Sequence, residues 1–155
     1  CNGASGAELL GPGDAFPAFD ARDQHDTEYR FQPGTRTVLI AFDMDTAKKT
    51  NRNLANLGAG FLADHDAVFI SNIYGMPAVG RFFALPKMKK YPHRIVLADT
   101  EHLLNPFPRK ADRVTIIQLN ASAVVESIGF WNPSEDELRD YLRHNASTAS
   151  GASLD

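Results

Sequence analysis

The sequence predicts one α/β domain with a mixed central sheet, closed at its C-terminal end by a β-hairpin and a helix. Three observations carry this. Apolar, β-branched runs of strand length alternate with segments whose apolar residues recur every three or four positions. Two further apolar runs near the C-terminus stand only a few residues apart, close enough to pair antiparallel. The 155 residues, 43% of them hydrophobic, suit one core and are too few for two well-buried ones.

The elements follow in order. Residues 1–10 read as a flexible tether because Asn2-Gly3-Ala4-Ser5-Gly6 is small and polar, the domain spans residues 11–144, and the Ala/Ser/Thr/Gly-rich residues 145–155 read as a disordered tail. Leu10-Gly11-Pro12-Gly13-Asp14 marks a loop. Phe16, Phe19, the turn-forming Asp23-Gln24-His25-Asp26 and Tyr29-Arg30-Phe31 together predict a short hairpin or extended arm. After the turn Gln32-Pro33-Gly34, residues 37–42 form a continuous apolar run, the pattern of a strand buried on both faces. Thr46 is the expected cap of a helix over residues 47–62, with Leu54, Leu57 and Phe61 inward and Lys48, Lys49, Arg52 and Asn56 in solvent.

Residues 67–71 predict a second buried strand. Gly75-Met76-Pro77 then opens another helix, with Pro77 in its first turn, Val79, Phe82 and Phe83 facing the core, and Pro86 bending or ending it. Residues 94–98 are the third strand, and residues 104–112, punctuated by Pro106 and Pro108, are irregular. Residues 114–119 and 124–131 form the antiparallel pair around Asn120-Ala121-Ser122. Ser134 and Glu137 make a capping box for a last helix that buries Leu138, Tyr141 and Leu142.

Composition narrows the chemistry. A net charge of -3 gives no whole-molecule attraction to nucleic acid, so none is expected as a partner. No apolar run approaches the roughly 20 residues that span a bilayer. Cys1 is the one cysteine, which excludes an intramolecular disulfide and a Cys-x-x-Cys redox or zinc site within the chain. The five histidines have no metal-ligand spacing and read as surface or loop groups, so no metal is expected, and with no Gly-x-Gly-x-x-Gly turn to receive a pyrophosphate no other cofactor is expected. Cys1 followed by the small polar run resembles the mature N-terminus of a bacterial lipoprotein, in which that cysteine carries the lipid; the alternative is a truncation point. Membrane contact is expected only through such a lipid.

Gly13-Asp14-Ala15-Phe16-Pro17-Ala18-Phe19 followed by Asp23-Gln24 resembles the opening of redoxins, and Tyr91-Pro92 before Ile95-Val96-Leu97-Ala98-Asp99 resembles their later strand. With the element order, residues 11–143 resemble thioredoxin-like proteins of the redoxin and peroxiredoxin type. Gly75-Met76-Pro77 with Phe83-Ala84-Leu85-Pro86-Lys87-Met88 is similar to an uncharacterised exported Gram-negative group that lacks the redox cysteines. The resemblance implies a three-layer thioredoxin-like fold and a place in the periplasm or envelope. The chain departs from the redox members twice. Where they place reactive thiols it reads Asp43-Met44-Asp45-Thr46-Ala47-Lys48-Lys49-Thr50, with no nucleophilic sulfur, and where they place a cis proline it has Arg113 and Val114. The expected function is therefore a non-redox binding or accessory protein for a protein or small-molecule partner. The expected binding face comprises Asp43, Asp45, Lys48, Lys49, Gly75, Met76 and Pro77, because strand-to-helix junctions are where open α/β sheets keep ligand sites.

A second resemblance competes. Phe42-Asp43-Met44-Asp45-Thr46 is similar to the first motif of haloacid-dehalogenase-like phosphatases. That likeness implies Asp43 as nucleophile, Asp45 as acid and base, a magnesium ion on the phosphate, Ser71 as the hydroxyl of the second motif, a lysine among Lys87, Lys89 and Lys90, and Asp99 at a later strand end. Alternation at a strand end would set Asp43 and Asp45 on one side. The preferred reading is that both carboxylates serve a turn and the N-terminus of the next helix. Arg81, Lys87, Lys89, Lys90, His93 and Arg94, interleaved with Phe82, Phe83 and Tyr91, form the one basic and aromatic stretch. It suits a phosphate-bearing or acidic partner, but an amphipathic helix with its aromatic side on the core is the preferred reading.

Overall fold

Thr37–Ala41 (β3) is buried along its whole length because it lies at the middle of a sheet covered on both faces. In this computed structural model, which describes residues 9–32, 34–74, 76–100, 103–135 and 138, seven strands form one sheet. In chain order they are Asp20–Asp23 (β1), Glu28–Arg30 (β2), β3, Ala67–Asn72 (β4), Val96–Ala98 (β5), Val114–Leu119 (β6) and Val125–Trp131 (β7). Their spatial order is β2-β1-β5-β4-β3-β6-β7. β3, β4 and β5 run parallel, while β6 lies antiparallel to β3, β7 to β6, and the β1–β2 hairpin to β5. The antiparallel pair beside β3 is what the thioredoxin-like resemblance predicts.

Alternation along the strands divides the core in two. Leu39, Phe69, Leu97, Ile116 and Trp131 face the helices, Met44–Leu57 (α1), Phe61–Asp64 (α2) and Ala78–Lys89 (α3), and Leu138 joins them. Val38, Ile40, Ile70, Val96 and Ile117 face the other way, under Phe16, Leu104 and Phe107 with Phe19 and Phe31 at the margin. Among the described residues that second cover is mostly aromatic side chains, with Leu104, on loops. Each fully buried Leu, Ile or Phe contributes roughly 1.5–3 kcal/mol. Helices α1, α2 and α3 share one face because β3, α1, β4, α3 and β5 follow one another in chain and in space through crossovers of one hand. No helix among the described residues is long and apolar enough to cross a membrane.

Several expectations are corrected. α1 begins at Met44, capped by Asp43 in extended conformation, and Thr46 is a buried first-turn residue. It stops at Leu57 because Gly58 adopts φ 104°, a conformation open to glycine, and its N–H closes on the Leu54 carbonyl. The short α2 is therefore separate. Pro86 lies within α3, which runs on to Lys89; the carbonyl that loses its partner belongs to Phe82, on the exposed side where water reaches it. Val79, Phe82 and Phe83, expected inward, are 70%, 74% and 62% exposed. The inward side of α3 is Ala84, Leu85 and Met88. Cys1, Gly75, Glu137, Tyr141, Leu142 and the tail at 145–155 lie outside the described residues.

Candidate functional site

At the N-terminus of α1, both carboxylate oxygens of Asp43 are engaged by Thr46. Oδ1 accepts the backbone N–H at 2.8 Å and Oδ2 the hydroxyl at 3.0 Å. The strand ends at Ala41, so alternation does not reach Asp45; it sits in the first helical turn, paired with Lys49 at 3.3 Å. Ser71 is aligned with Ala41 inside the sheet, fully buried, its hydroxyl without a partner among the described residues. Asp99 takes both terminal nitrogens of Arg81, at 2.8 and 2.5 Å, and that guanidinium also donates to the carbonyls of Ile73 and Met76. By the strand register Asp43 and Asp99 stand two strands apart, about 10 Å. Asp43, Ser71 and Asp99 thus each have a structural setting of their own, and no shared reacting centre forms among them.

A cavity of about 710 Å³ lies between the β1–β2 hairpin and α3. Along its lining Arg81 pairs with Asp99 and Arg22 with Asp26, and Asp20 pairs with Arg30 beside it. A smaller one, about 250 Å³, separates α1 from α3. α1 contributes Met44, Lys48, Asn51 and Arg52, one helical face, and α3 with its following turn contributes Ala84, Lys87, Met88 and Tyr91, another. Among the described residues no carboxylate pairs with Lys48, Arg52 or Lys87. Three cations therefore border a floor of thioether and aromatic groups, an arrangement suited to an anionic group carrying an apolar body. Of the expected binding residues, the cleft takes in Lys48. Asp43, Asp45 and Lys49 belong to the cap and first turns of α1; Met76 is partly buried over Gly80, and Pro77 is the exposed cap of α3.

Under this cleft lies His93, 3% exposed where a surface histidine was expected. Its Nε2 lies 2.8 Å from Asn51 Oδ1, which fixes the proton on Nε2, and Nδ1 is buried without a partner among the described residues. Burial pushes its pKa down to about 4, so the ring is neutral at physiological pH. Gln24 is the other residue that sequence reasoning missed. Read as a turn residue, it is 2% exposed, donates to the His93 carbonyl at 2.8 Å and accepts the Ile95 N–H at 2.8 Å. Beside it Asp23 accepts the N–H groups of His25 and Thr27 and the Arg94 Nε–H. Burial alone would raise the Asp23 pKa, but these donors outweigh it and hold the carboxyl below its ordinary value.

No family model matches this chain, and no curated protein resembles it in sequence. Solved structures do resemble it in fold. The thioredoxin domain of a thiol-disulfide oxidoreductase from Bacteroides vulgatus superposes with a TM-score of 0.56 at 12% identity, covering 90% of this chain and 98% of that one. A peroxiredoxin-like protein from Aquifex aeolicus gives 0.59 at 9% identity, with 88% and 86% covered. A SCO1/SenC family lipoprotein from Bacillus anthracis gives 0.53 at 10% identity, with 91% and 99% covered. The fold is thioredoxin-like.

Proposed function

Taking the thioredoxin-like fold as premise, we propose that this chain is a non-redox binding or accessory module of the bacterial envelope, which receives the anionic group of a partner or small molecule between α1 and α3. The observation that carries the reading is the convergence of Lys48, Arg52 and Lys87 on one cavity with no carboxylate paired to them among the described residues. The chemistry of the helix start supports it. Redox relatives need a thiolate there, and this chain has an aspartate cap and a single cysteine at position 1. The envelope assignment is supported by the structural neighbour from Bacillus anthracis, which is itself described as a lipoprotein.

Octyl phosphate is a suitable probe, since it joins an anion to an apolar tail. In calorimetric titration the wild-type chain binds it, and Lys48→Ala with Lys87→Ala weakens binding about tenfold, the effect of losing two partly exposed charge contacts. Equal binding by the double variant overturns the site. Catalytic reduction of insulin disulfides by the purified chain overturns the non-redox assignment.

A further inference from the structure

Among the described residues the outward face of α3 has no partner. Val79, Phe82, Phe83 and Pro86 recur at i, i+3, i+4 and i+7 and are all exposed, so they form one apolar ridge along the helix. Phe82 and Phe83 meet edge to face at 5.4 Å, which keeps both rings on the outside. The helix carries no acidic residue. Its helical period sets Lys87 and Lys89 about 80° to either side of the ridge, with Lys90 at its C-terminal end. Among the described residues none of these three lysines is ion-paired.

We infer that α3 is a membrane-docking element, lying in the plane of an anionic lipid surface with Phe82 and Phe83 at the acyl boundary and Lys87, Lys89 and Lys90 on the headgroup phosphates. An apolar ridge flanked on both sides by lysine matches the depth profile of such an interface, where rings enter the boundary region and ammonium groups reach back to the phosphates. Charge decides against a second copy as the occupant. A second copy of this helix, which carries no acidic residue, would leave the lysines of both chains without counter-charge, and in parallel packing would bring them together, whereas an anionic leaflet neutralises all of them. The molecule as a whole has a net charge of -3, so the attraction is local to this helix.

The test is co-sedimentation of the full chain carrying Cys1→Ser, on which no lipid anchor forms, with vesicles of phosphatidylcholine alone or mixed in equal parts with phosphatidylglycerol. The expected result is binding to the anionic vesicles, weakened by added salt, and weak binding to phosphatidylcholine alone. Phe82→Ser with Phe83→Ser, at exposed positions, should lower partitioning about tenfold or more, and Lys89→Glu with Lys90→Glu should lower it selectively on anionic vesicles. Unchanged partitioning of the Phe variant overturns the inference. So does a wild-type chain that ignores anionic vesicles but forms a dimer in light scattering that the Phe variant abolishes, which assigns the ridge to a second copy.

Discussion

Both oxygens of Asp43 are held by Thr46, so the side chain acts as a cap, and its charge is a convenience that the hydrogen bonds do not require. Asp43→Asn should leave stability nearly unchanged, since asparagine caps as well, whereas Asp43→Ala should cost about 1 kcal/mol in urea denaturation. His93 sets a second expectation. Its folded pKa of about 4 lies below the 6.5 of an unhindered histidine, so between those values the unfolded chain binds a proton that the native chain refuses. The stability involved is complete above pH 6.5 and is lost as pH falls toward 4, bounded at about 3 kcal/mol and smaller once solvent screening is allowed for. Asp23, held below its ordinary pKa, adds loss in the same direction at lower pH. Urea midpoints across that range should therefore fall with acid, and His93→Gln should flatten the slope between pH 6.5 and 4. The carboxylates at the start of α1 were legible as helix-terminal groups in the sequence. The burial of His93 was not, because the residues that enclose it, Asn51, Phe69 and Gln24, come from α1, β4 and the turn after β1.

Helix α3 shows what periodicity does and does not contain. Its apolar residues fall on two stripes, one through Val79, Phe82, Phe83 and Pro86 and one through Ala84, Leu85 and Met88. The period of 3.6 predicts a helix from either. Only the direction of the crossover from β4 to β5 decides which stripe meets the sheet, and that is a property of the strands. The strands read more directly, since β3 carries its two-faced burial in an unbroken apolar run and β6 and β7 announce themselves by their closeness. Their turn is a site of strain. Ala123 sits at φ 64°, a region unfavourable to alanine by about 1 kcal/mol or more, while Asn120 Oδ1 accepts the N–H groups of Ser122 and Val124 and holds the turn closed. Ala123→Asn, which tolerates that conformation without the added unfolded-state entropy of glycine, should raise stability by roughly 0.5–1 kcal/mol, seen as a higher urea midpoint with an unchanged slope.

For the molecule as a whole, element order was enough to predict a mixed sheet with a C-terminal antiparallel pair, because consecutive parallel strands and a terminal hairpin admit few right-handed arrangements, but not the docking of the β1–β2 hairpin on β5. The cleft was harder to read. Lys48 and Arg52 stand on one helix and Lys87 on the next, each looking like an ordinary solvated lysine or arginine until the two helices are laid side by side. The network at the other edge was harder still. Asp23 reaches Arg94, and Gln24 reaches Ile95, across 71 positions of chain. Separations of that length leave no periodic trace. They also order events in time. During synthesis β1 and β2 emerge before the strand they dock against, and at about 10 residues per second β5 follows several seconds later. The strand made first is thus among the last to be placed, and the β1–β2 hairpin should gain hydrogen-exchange protection after β3, β4 and β5 have closed, in the slowest phase of refolding.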